Sequence, residues 1–329
     1  MGDVAQRAGV SRQLASLVLR GEPGPSEASR ERVLAAASEL DYRPNSAARL
    51  LRQPRTRLIG VMFTALNSFE ARVVERLMER AEEEGFTVVL GPNTTARTTE
   101  VVIRQLLEQR VEALACFNPD PASPTFQRAL DLVPVVWLGE RSDELRADVV
   151  RTDDDAGLME LVGYLANLGH RRIAYAGGRG GRVGPDRAAS YRAAMLSHGL
   201  SKSIDVVEVG FGEEDGAEAA RELMEREALP TAVVGCSDHC GAGLLATFRA
   251  AAVAVPGKIS VTGYDDSDIA ALSYNSLTAV HQDVGLTVEA TLAAILSRLA
   301  EPTLGPRRYA TPAPVVVRAS TGPARAGQA

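Results

Sequence analysis

The sequence predicts an all-α helix-turn-helix head followed by an α/β body of two doubly wound, parallel-sheet lobes. Two observations lead to this fold class. Near the amino end, short helical segments surround a glycine at the spacing of a helix-turn-helix. From residue 58 onward, apolar segments of strand length alternate with amphipathic helical segments, in two successive series. We therefore expect a head over 1–44, a hinge helix and linker over 45–57, and the body after them.

The head is predicted from a short helical segment, a glycine and a serine that can cap a second helix. Ala5 is the small residue where two helices nearly touch, and Gly9 takes the turn, where a left-handed backbone costs a glycine least. Ser11 can cap a second helix over about Arg12–Arg20. A third helix is expected near Glu27–Leu40. A head of this kind places its second helix in a DNA major groove.

The second helix carries the side chains that we expect to contact DNA. Arg12 and Gln13 in its first turn suit the edges of guanine and adenine. An arginine on an exposed helix can also touch only phosphate, and both contacts stay open for Arg12. Leu17 either packs against a thymine methyl group or contacts no base, and Arg20 fits a phosphate contact. The contact residues predicted for the head are Ser11, Arg12, Gln13, Ser16, Leu17 and Arg20.

The charge is divided between the two parts of the chain. Residues 1–57 hold ten arginines and six acidic residues, a net charge of +4. Since the whole chain carries −6, the remainder carries −10. A basic head on an acidic body is expected when only one end of a protein meets phosphates.

Composition limits the class of protein and its compartment. Of the 329 residues, 45% are hydrophobic and 24% charged, as in an ordinary globular protein. The three unevenly spaced cysteines do not form a disulfide framework, which favours a reducing cytoplasm. No apolar run is long enough to predict a signal peptide or a membrane span. We expect a cytoplasmic protein that needs no cofactor or metal and has no membrane partner.

The body is predicted from its alternation of strands and helices. Near-continuous apolar strands separated by helices indicate parallel sheets covered on both faces. The first series has strands at Leu58–Phe63, Thr87–Leu90, Ala113–Phe117 and Val133–Leu138, with helices at about Glu70–Glu84, Thr98–Gln109 and Ala156–Leu168. The second has strands at Arg172–Ala176, Val206–Val209, Ala232–Cys236 and Ile259–Tyr264, with helices at about Asp186–His198, Glu214–Glu227 and Cys240–Ala251.

Two such series predict two lobes with a ligand cleft at their strand ends. The last helix (about Val284–Leu299) and the final strand (Pro314–Arg318) are expected to cross back between the lobes. The first lobe is then predicted over 58–157 plus about 284–303, and the second over 158–283 plus about 304–320. Residues 321–329 are expected to form a flexible tail.

Several motifs, in the right order, resemble the LacI/GalR family of bacterial transcription regulators over nearly the full chain. In the head and hinge these are Asp3–Ala5, Gly9–Ser11, Ser29–Val33 and Leu40–Asn45. In the body they are Gly169–Tyr175, Val261–Asp266, Leu277–Thr278 and Gln282–Asp283. The resemblance implies a homodimeric repressor on a near-palindromic operator, and a body like a type I periplasmic binding protein that holds a small-molecule effector, a sugar or related metabolite.

The hinge is expected to fold mainly on DNA. The segment Asn45–Arg52 has helix-forming residues over only about two turns, too few to be stable alone in water. By resemblance, Leu51 is the wedge that enters the minor groove and kinks the central base step, with Asn45 and Arg49 beside it. Packing of Leu50 and Leu51 against the body is the alternative.

The effector residues are also assigned by resemblance. Asp153, Arg187 and Asp265 resemble the polar contacts, since arginine and carboxylates can hold several hydroxyls in a fixed geometry. Phe211 fits an aromatic that stacks on the ligand and Phe69 a second one, with core packing the alternative for both. Ser237 completes the predicted site and stands where the family often has asparagine. At Glu70 an aromatic is usual, so both positions make this site more polar.

Two other classes of protein compete with this interpretation. The glycine-rich segment Gly177–Gly184 follows a strand and precedes a helix, as a phosphate cradle would, but its spacing matches no nucleotide motif. The cluster Cys236, Asp238, His239 and Cys240 could suggest a metal, yet no second ligand pair supports it. A small-molecule enzyme or a solute-binding protein on the same α/β fold is therefore the alternative, disfavoured by the helix-turn-helix head.

Overall fold

The computed structural model of this chain describes residues 1–19, 21–42, 55–139, 141 and 146–325. The chain divides into two compact units, Met1–Thr56 and Arg57–Ala329. The predicted hinge helix, and with it Arg20, Asn45, Arg49 and Leu51, lies outside the described residues.

The first unit has the helices that the sequence predicts. They are α1 (Gly2–Ala8), α2 (Arg12–Leu19) and α3 (Glu27–Glu39). Gly9 ends α1 with φ +64°, the left-handed backbone expected at the turn. The hydroxyl of Ser11 accepts a hydrogen bond from the Leu14 amide at 3.2 Å, which confirms Ser11 as the cap of α2.

A small core holds these three helices together. Its buried residues are Val4, Ala5, Ala8, Ala15, Val18, Val33, Ala36 and Ala37. The alanines let the helix backbones approach closely, as the spacing of Ala5 and Ala15 predicts. An ion pair between Arg7 and Glu39 at 2.7 Å joins α1 to α3 at the surface.

The second unit contains two six-stranded sheets. The first sheet has the order β11-β5-β4-β3-β1-β2 and is parallel throughout. Its strands are β1 (Leu58–Thr64), β2 (Thr87–Asn93), β3 (Ala113–Phe117), β4 (Val135–Leu138), β5 (Asp148–Thr152) and β11 (Arg308–Thr311). It is covered by α4 (Ser68–Glu83), α5 (Thr99–Glu108), α6 (Pro124–Leu132) and α12 (Val284–Ala300).

The second sheet has the order β12-β10-β9-β8-β6-β7, with only the β10–β12 pair antiparallel. Its strands are β6 (Ile173–Gly178), β7 (Asp205–Val209), β8 (Ala232–Gly235), β9 (Ser260–Asp265), β10 (Thr278–His281) and β12 (Val315–Val316). Its helices are α7 (Asp154–Asn167), α8 (Val183–Ser197), α9 (Glu213–Glu225), α10 (Asp238–Ala250) and the short α11 (Asp268–Ala271). These two lobes confirm the predicted fold class.

The chain passes between the lobes three times. It goes from β5 into α7, from β10 into α12, and from β11 into β12. The third crossing differs from the prediction, which placed about 304–320 in the second lobe. Arg308–Thr311 pairs in parallel with β5 of the first sheet, so the crossing comes only after Thr311. The predicted first boundary near Gly157 falls within α7, whose apolar face packs in the second lobe.

The alternation pattern missed several elements of the body, including α6, β5, β11 and the short α11. Helix α6 begins with proline, and β5 and β11 are short and carry charged residues, so none shows a long apolar run. The pattern indicates β10 only as part of a crossing segment. The predicted final strand, Pro314–Arg318, shortens to β12. Among the described residues, no helix is both long and apolar enough to span a lipid bilayer.

Candidate functional site

The candidate DNA-contact surface of the head is the exposed side of α2. Ala15 and Val18 on one side of this helix are buried, which leaves Arg12 and Gln13 exposed on the other. Ser16 and Leu17 are half-buried. The first turn of α2 therefore presents one guanidinium and one carboxamide to solvent, the pair of groups best suited to purine edges in a major groove.

Arg12 also touches the start of α1. A Cβ built on Gly2 would lie 2.6 Å from Nη2 of Arg12, so the end of this flexible side chain lies close to the start of α1. In this conformation Arg12 is folded back against its own head. It must swing away to reach a base, whereas Gln13 already faces outward.

The second candidate site lies in the body, where the carboxyl ends of both sets of parallel strands meet. Its centre is Arg187 on α8, which is 6% exposed. The Arg187 Nε donates to Oδ1 of Asp154 at 3.0 Å, and Nη1 donates to the carbonyl oxygen of Cys236 at 2.9 Å. The guanidinium carbon lies 3.8 Å from the centre of the Tyr264 ring. Burial opposes the charge on Arg187, but Asp154 and its neighbours outweigh it and raise the pKa of Arg187.

The carboxylate that pairs with Arg187 is Asp154, which the predicted effector site does not include. Asp154 is 4% exposed, and it also accepts a hydrogen bond from the Tyr264 hydroxyl at 2.5 Å. The Asp153 side chain instead caps α7, accepting from the Ala156 amide at 3.3 Å. Residues 153–155 are three consecutive aspartates, and the sequence does not show which of them faces Arg187. The helix start fixes it, because the cap residue turns its side chain toward the backbone.

Asp265 does lie beside Arg187, at the end of β9. Its Oδ1 is 3.9 Å from Nη1 of Arg187 and accepts a hydrogen bond from Gln282 Nε2 at 2.5 Å. Burial raises the pKa of Asp265, although Arg187 and Gln282 act against that shift. Gln282 also accepts a hydrogen bond from the Thr152 hydroxyl at 2.7 Å. Thr152 ends β5 and Gln282 follows β10, so this bond ties two crossings together.

A third buried acid of this site, Asp238, stands at the start of α10. Its Oδ2 accepts from both the amide and the hydroxyl of Ser267, at 2.6 and 2.8 Å. Its Oδ1 is buried and has no hydrogen-bond partner among the described residues. Burial and the charge of Asp265 raise the pKa of Asp238 to about 8. At neutral pH this acid therefore holds a proton and can donate it.

The predicted Ser237 and Phe211 are close to each other at the same strand ends. The Ser237 hydroxyl donates to the Phe211 carbonyl oxygen at 2.6 Å and accepts from the Cys240 amide at 3.0 Å. Ser237 therefore serves as the cap of α10. The Phe211 ring is half-buried and lies over Gly180, where a Cβ would be 2.7 Å from the ring. The Phe211 ring thus packs on the glycine-rich loop near the strand ends.

The first lobe contributes a polar wall that the predicted site lacks. Glu70 is 3% exposed, and its Oε2 accepts from the Thr64 amide at 2.6 Å, while Asn118 also donates to this carboxyl. Burial raises the pKa of Glu70 to about 7, against the effect of these hydrogen bonds. The Oδ1 of Asn118 is buried without a partner among the described residues, and a Cβ on Gly139 would lie 2.6 Å from it.

Phe69, the other predicted aromatic, belongs to the core of the first lobe. It is 8% exposed, and its ring meets Phe117 edge to face at 6.4 Å. The residues that the prediction lacked are Asn118, Asp154, Tyr264 and Gln282. Each lies at the end of a strand or at the start of a helix that follows one, and that position is the signal that could have identified them.

The side chains of the cysteine-rich cluster have separate partners. His239 Nδ1 is 2.7 Å from Oε1 of Glu213, and Asp238 is held by Ser267. Cys236 and Cys240 are buried, with their sulfur atoms directed to the carbonyl oxygens of Gly210 and Ala176. In the part of the chain that is described, no group of three or more His, Cys, Asp or Glu residues is arranged to hold a metal ion.

Comparison with protein families agrees with this division of the chain. Residues 1–45 match the model of bacterial regulatory proteins of the lacI family. Residues 162–321 match the model of a periplasmic binding protein-like domain. The two matches fall on the helix-turn-helix head, and on most of the second lobe together with the second and third crossings and the first-lobe elements α12 and β11.

Individual relatives cover almost the whole chain. The HTH-type transcriptional regulator CelR of Thermobifida fusca is 32% identical over 96% of this chain and 96% of its own length. The ribose operon repressor of Escherichia coli K12 is 30% identical over 94% of this chain and 95% of its own.

Solved structures show the same likeness. The lac repressor dimer bound to operator and the anti-inducer ONPF is 26% identical, with a TM-score of 0.85 over 97% of this chain and 98% of that one. A complex of CelR with cellobiose is 29% identical, with a TM-score of 0.72 over 97% and 98% of the two chains. Head, lobes and near-full-length relatives lead to one conclusion: this chain is a member of the LacI family of bacterial transcriptional regulators.

Proposed function

We propose that this protein is a repressor whose hold on its operator is controlled by a neutral, sugar-like effector bound around Arg187. The observation that carries the proposal is the buried Arg187–Asp154 pair, which lies where the chain crosses from the first lobe to the second. A ligand that contacts Arg187 competes with Asp154 for the same guanidinium. Binding is then coupled to the position of α7, and through it to the angle between the lobes.

The chemistry of the cleft favours hydroxyl groups over ionised ones. Arg187 is a donor, and the buried Oδ1 of Asn118 is an acceptor with no partner among the described residues. Asp238 and Glu70, with pKa values raised to about 8 and about 7, add groups that hold protons near neutral pH. A sugar hydroxyl both donates and accepts, so it can satisfy either kind of group. The complex of the CelR relative with cellobiose supports this class of ligand.

A negatively charged effector is less suitable. Four acidic side chains, Glu70, Asp154, Asp238 and Asp265, surround the cleft, and Arg187 is already paired. A phosphate would meet the like charge of the Asp154 carboxylate, which is costly where little water screens it, while Glu70 and Asp238 hold their protons and add no positive charge to offset it. We therefore place free sugars ahead of sugar phosphates and carboxylated sugars.

The effector signal has a path to the other crossing. The Thr152–Gln282 hydrogen bond joins the first crossing to the second, and Gln282 also holds Asp265. A ligand on Arg187 or Asp265 thus acts on both connections at once. In the proposed mechanism, the ligand changes the angle between the lobes. That angle decides whether the two hinges of a homodimer can fold together on the operator.

The DNA contacts of the proposed repressor come from the head and the hinge. Gln13 and Arg12 read base edges, and Ser11, Ser16 and Arg20 position α2 on the backbone. The hinge residues Asn45, Arg49 and Leu51 bind the minor groove at the centre of the operator. The Arg12 side chain lies close to Gly2 and must change its conformation to contact a base, so this change takes place when the head binds DNA.

A panel of ligands tests the effector class. Purified full-length protein would be titrated with cellobiose, ribose, glucose, a sugar phosphate and a purine base, with thermal unfolding as the readout. We expect a neutral sugar to raise the midpoint, because a ligand that binds only the folded state stabilises it. The proposal is contradicted if only the sugar phosphate or the purine base raises the unfolding midpoint. It is also contradicted if a substitution outside the cleft removes the sugar-induced shift as completely as one inside it.

A further inference from the structure

We propose that Arg141 is a positioning residue that holds the first lobe to the second and favours the arrangement in which Arg187 pairs with Asp154. Arg141 follows β4 of the first sheet, and its partners lie on α7 and α8 of the second lobe. Its effect on operator binding rests on the proposed function, whereas its hold on the two lobes does not. The four residues of this interlobe clasp are Arg141, Asp155, Asp186 and Ser190.

The clasp is a set of hydrogen bonds from one residue to two helices. Nη2 of Arg141 donates to Oδ1 of Asp155, and also to the Ser190 hydroxyl oxygen at 2.9 Å. The backbone amide of Arg141 donates to Oδ2 of Asp186 at 3.4 Å. The Ser190 hydroxyl donates in turn to Oδ1 of Asp155 at 2.7 Å, which joins α8 to α7 at the same point. One first-lobe residue therefore contacts both second-lobe helices.

The first-lobe end of the clasp is anchored in its sheet. The Gly139 amide donates to the Val150 carbonyl oxygen at 3.1 Å, so pairing with β5 continues one residue beyond the end of β4. Gly139 has φ +101° and lies against the Asn118 side chain in the polar wall of the first lobe. Arg141 comes only two residues later. A movement of the first sheet is therefore transmitted to the clasp.

The second-lobe end of the clasp lies directly beside the effector pair. Asp155 follows Asp154 on α7. Asp186 precedes Arg187 on α8. A ligand that takes Arg187 from Asp154 moves the start of α7, and Asp155 must move with it. The clasp and the Arg187–Asp154 pair therefore favour the same arrangement of the lobes, and an effector acts against both.

The strength of the clasp suits a conformational equilibrium. The side chains of Arg141 and Asp155 are 37% and 48% exposed, so water screens their attraction. Burial opposes ionisation of Asp155, but hydrogen bonds from Ser190 and Arg141 outweigh it and lower the pKa of Asp155. An ion pair of this exposure shifts an equilibrium by up to about fivefold. That is enough to bias the two lobes without locking them.

Distances between the lobes test the clasp without any ligand. Nitroxide labels would be attached to the full-length protein through Leu66→Cys in the first lobe and Arg179→Cys in the second, two exposed loop positions that follow β1 and β6. The native cysteines are buried and should not react. Labelled protein would be diluted with unlabelled protein, so that distances between subunits do not contribute. Pulsed electron paramagnetic resonance then gives the distance distribution for each residue placed at Arg141.

The charge at residue 141 should grade the result. Arg141→Lys keeps the charge and should restore the wild-type distances. Arg141→Gln should increase a second distance population by up to about fivefold, and Arg141→Glu, which repels Asp155 and Asp186, by more than about tenfold. The control is Arg146→Glu, because the ion pair of Arg146 with Asp131 lies within the first lobe. Wild-type distances in all three Arg141 variants, or an equal change in the control, would overturn the proposal.

Cellobiose tests whether the clasp opposes the effector. Added to the labelled wild type, it should produce the same second distance population that Arg141→Glu produces without it. In calorimetry, Arg141→Glu should bind cellobiose at least about threefold more tightly, because apparent affinity rises with the population of the binding arrangement. Binding of cellobiose to the wild type with unchanged distances would overturn the positioning role. Absence of cellobiose binding would count against the proposed effector, while the ligand-free distances still decide whether the clasp holds the lobes.

Discussion

Arg187 and Asp154 form a buried ion pair, with Nε 3.0 Å from Oδ1, between two helices of the second lobe. Asp154 is the first residue of α7 and follows directly after the crossing from β5. Removal of one partner from such a pair leaves an uncompensated buried charge. The pair therefore connects effector chemistry to the crossing, and its two members predict different outcomes when changed.

Replacement of Asp154 by asparagine should strengthen effector binding. The carbonyl oxygen of the new amide can accept the same hydrogen bonds from Arg187 and Tyr264, and Asp265 at 3.9 Å still faces the buried Arg187 charge, so we expect a loss of about 3 kcal/mol in unfolding free energy. Without the competing charge, Arg187 is more available, and sugar affinity measured by calorimetry should rise. Asp153→Asn is the matched control, because asparagine caps a helix as well as aspartate does. If Asp153→Asn binds the sugar more weakly while Asp154→Asn changes neither sugar affinity nor stability, then Asp153 and not Asp154 acts in the effector site.

Arg187→Ala should abolish the effector response and also destabilise the body. The change removes the cation that pairs with the buried Asp154 and lies beside the buried Asp265, which should cost about 3–5 kcal/mol. Urea unfolding gives the cost, and a gel-shift titration gives the response. Arg192→Ala, an exposed arginine on the same helix, should change neither. A normal response from Arg187→Ala in the gel shift would exclude Arg187 from the effector site.

Glu70 should make the stability of the body depend on pH. In the unfolded chain this glutamate ionises near its ordinary pKa of 4.5, but in the folded protein it keeps its proton to about 7. Between these values the folded state binds more protons, so stability falls as pH rises through this window. The Glu70→Gln variant has no ionisable group at this position, so its free energy of unfolding does not fall in this way. Relative to the wild type, its free energy of unfolding should increase by about 3 kcal/mol between pH 5 and pH 8.

Urea unfolding at pH 5 and pH 8 measures this difference. The control is Glu75→Gln, an exposed glutamate on the same helix, which should parallel the wild type at both values. A Glu70→Gln variant that also parallels the wild type would show that Glu70 ionises normally in the folded protein.

Gln13→Ala should relax the operator preference at one base pair. Gln13 is exposed on the first turn of α2, and a bidentate contact to adenine discriminates by about 1–3 kcal/mol. Selection of binding sites from a randomised DNA library, with wild type and variant in parallel, measures the change. An unaltered consensus would mean that Gln13 contacts no base.

Leu51→Ala should weaken operator binding without loss of effector affinity. By its resemblance to the family wedge, Leu51 inserts between base pairs, and alanine is too short to hold the kink. Fluorescence anisotropy on operator DNA and calorimetry with the sugar separate the two affinities. Parallel loss of both would favour the alternative, in which the hinge leucines pack against the body.

The sequence predicts the fold better than the site for a physical reason. Burial periodicity and turn residues such as Gly9 are local, and they identify the helices of the head and most strands of the body. The site depends on which of several adjacent polar residues faces inward. Asp153 and Asp154 differ by one residue but by about 100° around a helix. Only the capping hydrogen bond of Asp153 distinguishes them.

The polar residues that the first lobe contributes to the cleft were also not predicted, because their roles depend on contacts between distant parts of the chain. Asn118 is an unremarkable loop residue in the sequence, and its role depends on a close approach to Gly139 and on the buried Glu70. These contacts join three separate strand ends. Sequence position indicates that such ends meet at one edge, but not which side chain there is left without a partner.

Operator affinity measured with and without the sugar tests the central claim most directly. Anisotropy titrations would use the selected operator at fixed ionic strength, since affinity for DNA changes steeply with salt. For the wild type, we predict that the sugar identified in the panel lowers operator affinity at least about tenfold, a coupling of about 1.4 kcal/mol. For Arg187→Ala, we predict unchanged affinity with and without it. Equal affinities for the wild type under both conditions, or an undiminished sugar effect in Arg187→Ala, would contradict the account.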